Sequence, residues 1–382
     1  MRDAVIVEAV RTPLGKRNGG LKGIHPADLS AHVLNAVISR TGIDPAVVDD
    51  VIWGCVSQVG EQTFDIARTA ALSAGWPDTV PGTTVDRQCG SSQQAVHFAA
   101  AGVIAGHYDM VVAGGVESMS RIPMMSAMVD GLSPLGAEYQ KRYGTAFPNQ
   151  GLAAEAIAKQ WGLDRAAVDA YSLRSHERAA EARAQGRFEP EIAAVTSLDG
   201  TVVAADEGIR IGGTLEILGK LKPAFDEAGV VTAGNSSQIT DGAAALLITS
   251  SDTAKTLGLV PIARVHTAVV TGADPTLMLS APIPATRKAL ERSGLALSDI
   301  GVFEVNEAFA SVALAWHAEF DVPAEQLNPN GGAIALGHPL GGSGARIMTT
   351  MINHMRCGNI RYGLQTMCEG GGQANATILE LL

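Results

Sequence analysis

Two cysteines, one histidine and one asparagine stand where their chemistry can be used. Cys89 lies in "TVDRQCGSSQQAV", between an apolar extended run and an apolar-periodic helical run, followed at once by Gly90, Ser91 and Ser92. A cysteine there is either a small core residue or a nucleophile at a helix N-terminus, whose unpaired N–H groups and dipole favour a thiolate. A free thiol of pKa ~8.5 is only about 3% thiolate at neutral pH, so a nucleophile needs a base beside it. His338 offers an imidazole in "NPNGGAIALGHPLGGSGARI", framed by Gly337 and Pro339 ahead of a helix expected from near Ser343. Glycines let a ligand or another backbone approach closely; a structural loop with a satisfied histidine is the alternative.

Cys368 ends an extended run in "LQTMCEGGGQANATILEL", and Gly370, Gly371 and Gly372 precede another. Such a turn can expose a thiol and aim backbone N–H groups at a developing oxyanion, or it simply joins two strands. Asn306, beside Glu307, sits in "EVNEAFASVALAW" where an apolar strand meets a helix. It either caps that helix or holds a water or carbonyl oxygen at the sheet edge, where ligands of α/β sheets bind. Cys55 and Cys357 lack such framing and read as a core residue and a helix-end residue.

The elements that must position these residues alternate. "AVIVEAV" reads as strand, "HPADLSAHVLNAVIS" as helix and "DDVIWGCV" as strand, which predicts a predominantly parallel sheet covered by helices. From about residue 119 to 239 the chain turns richer in Met, Tyr, Arg and charged helix, with Asp164 ahead of one helical run. The earlier style then resumes. "LNAVISRTGIDPAVVDDVIWGCV" resembles "TRKALERSGLALSDIGVFEVNEA", which predicts duplicated halves about a pseudo-twofold axis. The expected organisation is one half formed by residues 1–118 with about 240–258, an inserted domain over 119–239, and a second half over 259–382.

The 382 residues carry 46% hydrophobic and 18% charged side chains, enough for a large core. A net charge of −11 argues against general nucleic-acid binding. Four cysteines show neither zinc-type pairing nor a disulfide framework, so no metal is expected and a reducing, cytoplasmic setting is. The N-terminus reads as a strand rather than a signal peptide, and no apolar run approaches the roughly 20 residues of a membrane span.

Together the four segments resemble the thiolase family. "CGSS" is similar to its nucleophile motif, "NEAFA" to its asparagine motif, "NPNGGAIALGHPLGGSG" to its histidine motif and "TMCEGGG" to its second-cysteine motif. "RTPLGK", "VVAGGVESMS" and "TAGNSSQITDGAAALL" also look like family segments. The resemblance implies an α/β, duplicated αβαβα layered fold with an inserted loop domain that docks coenzyme A. It implies thiolytic cleavage of a 3-ketoacyl-CoA, reversible as a Claisen condensation. Cys89 would take the acyl group, His338 would accept its proton, and Cys368 would exchange a proton with the acetyl-CoA carbon. Oxyanion sites would come from His338 with a water on Asn306, and from the N–H groups of Cys89 and Gly370. Arg210 and Ser237 would contact coenzyme A, a co-substrate; no tightly bound cofactor is implied. A homodimer or homotetramer is implied as well.

Departures from the family pattern narrow the substrate. Asp86 stands where the family often has asparagine, Glu369 where a small residue is usual, and Gly342 where alanine is common. Acetoacetyl-CoA thiolases commonly carry a His-Met pair near "FPNQG", where Asn149 and Gln150 occur here. The reading is therefore a β-oxidation enzyme for longer, bulkier or steroid acyl chains. A short-chain biosynthetic acetyl-CoA acetyltransferase is the alternative within the class, and a non-catalytic lipid carrier of thiolase shape the alternative outside it. A ketoacyl synthase would lack the Cys368 segment, and a Cys–His–Asn hydrolase does not fit the residues around Cys89.

Overall fold

The computed structural model describes residues 2–144 and 147–382. The chain opens with β1 (Val5–Arg11), β2 (Gly15–Lys16), α1 (Pro26–Thr41), β3 (Asp50–Gly54), α2 (Ile66–Ser73), β4 (Gly82–Val85), α3 (Ser91–Ala105) and β5 (Met110–Ser118). Next come α4 (Ala137–Tyr143), α5 (Gln150–Gln160), α6 (Arg165–Ala184), a small pair of strands, β6 (Val195–Thr196) and β7 (Val202–Val203), and α7 (Leu215–Gly219). Then β8 (Thr240–Thr249), α8 (Ser251–Thr256), β9 (Ala263–Gly272), α9 (Pro282–Ser293), β10 (Val302–Val305), α10 (Ala310–Phe320), α11 (Ser343–Gly358), β11 (Tyr362–Glu369) and β12 (Gln373–Leu381) complete it.

The strands run in the order β10-β11-β12-β9-β1-β8-β5-β3-β4. β1 and β9 meet over just Val5↔Arg264 and Ile6↔Ala263, a narrow seam between two half-sheets. Pairs β3–β4, β3–β5 and β10–β11 are parallel, while β1–β8, β5–β8, β11–β12 and β9–β12 are antiparallel. The sheet is thus mixed, where strand–helix alternation predicted mostly parallel pairing. β11 turns directly into β12 through the glycines at 370–372, and a hairpin can only make an antiparallel pair.

Helices pack in three layers around the half-sheets. α1 and α2 bury Leu29, Val33, Val37 and Ala70 on the outer face of β3, β5 and β8. α9 and α10 bury Ile283, Ala289, Ala313 and Trp316 on the outer face of β10, β11 and β12. Between the half-sheets lie α3 and α11, whose Val96, Ala99, Met348 and Ile352 meet Ile6, Val111 and Leu246 on one side and Val302 and Leu379 on the other. This is the expected αβαβα layering. The two central helices cross closely because Gly344 stands at the contact; a Cβ there would run into the Gln93 backbone.

The duplication read in the sequence recurs in local structure. α1 ends at Gly42 (φ 69) and α9 at Gly294 (φ 72), each followed by a 3-10 turn and then a buried strand. A left-handed C-terminal residue suits glycine, which has no Cβ to clash. The 119–239 segment is fixed to the sheet by fully buried Arg11, which pairs with Glu191 (2.6 Å) and Asp206 (2.7 Å). Asp164 caps α6 as expected, accepting from the Ala167 N–H at 2.8 Å.

Candidate active site

Cys89 precedes Gly90, the N-cap of α3, in a turn held by its own side chains. Asp86 Oδ1 accepts from the Gln88 N–H (2.7 Å), and Ser91 Oγ accepts from the Arg87 N–H (3.0 Å) while donating to Gln88 O (2.6 Å). Gln88 sits at φ 49, a left-handed conformation that costs a non-glycine residue on the order of 1 kcal/mol or more. The turn thereby seats Cys89, 4% exposed, against Leu340, Ile347 and Met367. Burial, then the Glu369 carboxylate, pushes its thiol up to about 12. The helix terminus does not outweigh these two effects, so the Cys89 thiol is neutral at rest.

His338 is buried, and its ring orientation is fixed from both sides. Ser343 Oγ donates to Pro339 O (2.8 Å) and so must accept from His338 Nδ1, 2.6 Å away. That puts the ring proton on Nδ1 and leaves Nε2 as a bare acceptor, facing Asn306 Nδ2 at 3.4 Å. Burial, then the Arg346 charge, drives the imidazole down to about 3, so it is neutral and able to take a proton. The His338 N–H donates to Thr240 Oγ1 at 3.0 Å, which anchors the loop on β8.

Asn306 does not cap a helix. It follows β10 directly, whereas α10 starts only at Ala310 with Phe309 as its N-cap. Its Oδ1 is buried without a hydrogen-bond partner among the described residues. Glu307 beside it accepts from Tyr171 Oη (3.0 Å), Ser175 Oγ (2.7 Å), Asn328 Nδ2 (3.2 Å) and the Ile334 N–H (3.2 Å). One carboxylate thus fastens α6 to the loop that leads to His338.

Cys368, fully buried near the end of β11, packs against Ala153, Met278 and Phe309. Burial raises its thiol well above the ordinary value, with the charge of Cys89 the next largest cause; the two sulfurs are close enough to oppose each other's ionisation. Gly370 opens the following turn beside the Cys89 turn, since a Cβ on it would lie 3.0 Å from Gln88 Oε1 and 3.4 Å from Gln150 Nε2. Cys89, Cys368 and Gly370 thus adjoin one another, His338 adjoins Asn306, and Leu340 on the histidine loop packs in the Cys89 cluster. Cys55 is buried just past β3, and Cys357 is exposed near the end of α11.

Arg210 and Ser237 lie on segments tied to the histidine loop. Gln238 Nε2 donates to Gly208 O (2.9 Å) and Ile334 O (2.8 Å), and Gln238 O accepts from the His338 N–H (3.3 Å). Arg210 is exposed and Ser237 half-buried. A cavity of about 500 Å³ elsewhere, lined by His25, Asp28, His32 and Arg121, includes none of these residues.

Sequence reasoning missed Ser343 and Glu117. Ser343 was visible as a helix start, but its hold on His338 Nδ1 depends on how the glycine loop folds back. Glu117, buried on β5, accepts from the N–H groups of Val56 (3.0 Å), Ser57 (3.0 Å) and Gly341 (2.8 Å) and from Gln62 Nε2 (2.7 Å).

A duplicated αβαβα protein with two thiols and an imidazole at its centre is what this geometry defines. The thiolase N-terminal domain family matches residues 4–252 and the thiolase C-terminal domain family residues 259–381. The chain is 50% identical to the steroid 3-ketoacyl-CoA thiolase FadA6 of Mycobacterium tuberculosis, across all of this chain and 95% of that protein. It is 47% identical to the 3-ketoacyl-CoA thiolase of Erwinia tasmaniensis over the full length of both. The crystal structure of the Bacillus anthracis acetyl-CoA acetyltransferase superposes with a TM-score of 0.90 at 38% identity, covering 100% of this chain and 99% of that one. The chain belongs to the thiolase family and is an acyltransferase. Among the described residues no helix is long and apolar enough to cross a membrane.

Proposed function

We propose that the protein cleaves a 3-ketoacyl-CoA with coenzyme A, giving acetyl-CoA (propionyl-CoA from a 2-methyl substrate) and a shortened acyl-CoA. The Cys89 sulfur attacks the keto carbon while its proton passes to His338 Nε2. The bond between the keto carbon and the α-carbon then breaks, leaving an acyl thioester on Cys89 and an acetyl-CoA enolate that takes its proton from Cys368. Coenzyme A attacks the thioester through its thiol, whose proton goes to the Cys368 thiolate, and Cys89 leaves as the thiol by taking back the proton held on His338 Nε2. Condensation is the same sequence reversed.

The observation that carries this reading is a neutral imidazole locked with Nε2 free beside Asn306, on the loop whose Leu340 packs in the same cluster as the neutral, buried Cys89 thiol. A neutral acid–base pair moves a proton without separating charge until the substrate oxygen can accept it. Once protonated, Nε2–H becomes an oxyanion donor, and the free Oδ1 of Asn306 suits a water that would serve as a second. The N–H groups of Cys89 and Gly370 are proposed as the other oxyanion site; a single donor of this kind is typically worth ~2.7–4 kcal/mol of barrier. Coenzyme A is proposed to dock on the 119–239 segment through Arg210 and Ser237, with residues 1–118 plus about 240–258 and residues 259–382 forming the two halves. A homo-oligomer in a reducing cytoplasm completes the proposal; four free cysteines support that compartment.

The steroid in one relative's name favours a ring-bearing acyl chain, and the absence of a His-Met pair at Asn149 and Gln150, near Gly370, supports a substrate other than acetoacetyl-CoA. The name of the Bacillus anthracis neighbour favours acetoacetyl-CoA as the second reading. Mass spectrometry after mixing with acyl-CoA should show an acyl adduct on Cys89, discharged by coenzyme A and lost in Cys89→Ser. A kcat/KM that favours acetoacetyl-CoA over longer 3-ketoacyl-CoAs selects the second reading, and no adduct at all refutes both.

A further inference from the structure

Glu369 is a carboxyl in a costly place. It follows Cys368, is fully buried, and among the described residues neither oxygen makes a hydrogen bond of full geometry, although the Asn375 backbone amide lies close enough to favour its charged form. It points to the opposite side of β11 from Cys368, onto the N-terminus of α3, where a Cβ on Gly90 would overlap its Oε1. The same imagined Cβ would lie 2.5 Å from Asn375 Oδ1, another buried acceptor without a partner among the described residues. Two partnerless acceptors side by side are satisfied together if one of them carries a proton, and an amide oxygen does not.

The surrounding network has the matching polarity. Asn375 Nδ2 donates to Gln94 Oε1 (3.1 Å) and to His97 Nδ1 (3.3 Å), and His97 Nε2 meets Thr377 Oγ1 at 2.7 Å. Asn375 therefore has its amide donors committed to α3 and its oxygen turned toward Glu369. We propose that Glu369 is a positioning residue held as the neutral acid: its O–H donates to Asn375 Oδ1, locks β11 and β12 onto α3, and leaves that helix terminus to the negative charge that forms when Cys89 loses its proton. An ionised Glu369 and an ionised Cys89 would compete for the same helix dipole and repel one another.

The groups that face Glu369 are Arg87, Asp86 and Cys89 from the turn before α3 and Cys368 from β11, while His97 on α3 meets Asn375. Burial pushes the Glu369 carboxyl up to about 8, against the pull of Arg87, and buried His97, driven down to about 3, is neutral and adds no charge. Arg87 spends one nitrogen on Gln373 Oε1 (3.0 Å) and does not bond Glu369.

This inference rests on Cys89 as the nucleophile, and its test does not require turnover. Alkylation of Cys89 by iodoacetamide is followed by peptide mass spectrometry from about pH 6 to pH 9.5 in the wild type and in Glu369→Gln. Gln keeps a donor for Asn375 and has no proton to lose. The two rate profiles should coincide below about pH 7. Above the carboxyl's own titration the wild type should fall behind by about tenfold, one pKa unit of like-charge opposition. An offset present at every pH means an ionised carboxylate throughout and overturns the proposal, as does coincidence at every pH. If Glu369→Gln does not fold, the wild-type profile decides alone: a break near pH 8 supports the neutral acid, and an unbroken line overturns it. Failure of Cys89 to acylate would refute the nucleophile, whereas a missing break refutes only the role of Glu369.

Discussion

At the scale of single residues, the site works by fixing protons rather than by creating charge. A cysteine next to a helix N-terminus suggests a ready thiolate, but burial and Glu369 push the Cys89 thiol to about 12, so in the proposed reaction its proton leaves as the new bond forms. The base for that step is defined by Ser343, whose own hydroxyl is committed to Pro339 O and so turns Nδ1–H toward itself. Ser343→Ala removes this lock and lets Nε2 carry the proton in part of the population. Activity should fall roughly 10- to 100-fold, less than the ~10²–10⁴ that a positioned base contributes because part of the population keeps the right tautomer, with KM little changed and the fold intact by circular dichroism. Unchanged kcat would show that the tautomer is set elsewhere. Gly90→Ala is more severe, because the new methyl overlaps the Glu369 carboxyl. It should cost both folding yield and Cys89 alkylation.

Among elements, buried carboxylates join what the sequence keeps far apart. Glu117 on β5 takes backbone donors from the loop after β3 and from Gly341 beside the histidine, so one side chain sets the spacing between the two halves. Removing it leaves several buried N–H groups unsatisfied at ~1–3 kcal/mol each. Glu117→Ala should therefore lower unfolding stability by about 3–5 kcal/mol, read as a lower urea midpoint, and should depress activity before the protein unfolds. A loss under about 1 kcal/mol would mean that water replaces the carboxylate fully. These links also explain what was legible beforehand. Glycine-rich turns, the start at Ser343 and the strand end at Cys368 could be read locally, because each depends on short-range backbone preferences. Glu117 looked like one more residue of "GGVESMS", and local pattern alone left Asn306 open between a cap and a ligand holder, since their partners lie more than 30 residues away in the chain. Likewise, local alternation could not reveal that β8 and β12 run antiparallel to their neighbours, because strand direction is decided by connections and not by composition.

For the whole molecule, duplication places the two central helices back to back, and the titrating groups end up in that buried middle. Arg346 on α11 is fully buried with no nitrogen bonded among the described residues, and nearby Glu304 is pushed up to about 8 by burial despite the Arg346 charge. Glu369 is raised similarly. Each holds its proton in the folded state and loses it near pH 4.5 when unfolded, so the folded chain binds more protons across that interval. Stability from these groups is complete below about pH 4.5 and is lost as pH rises through about 8. His97 and His338 act oppositely: depressed to about 3, they stay neutral in the fold, and their contribution is lost as pH falls below 6.5. Above pH 6.5 the histidines are neutral in both states, which leaves the raised carboxyls to set the slope. Between about pH 6.5 and 8 the free energy of unfolding should decline by roughly 1.4 kcal/mol per pH unit for each such group. Glu304→Gln should remove one share of that slope, and between about pH 4.5 and 6.5, where the raised carboxyls offset the histidines in the wild type, it should expose a net loss as pH falls. Urea titrations at closely spaced pH values check this, and a flat wild-type profile from pH 6.5 to 8 would show that neither carboxyl enters the fold protonated.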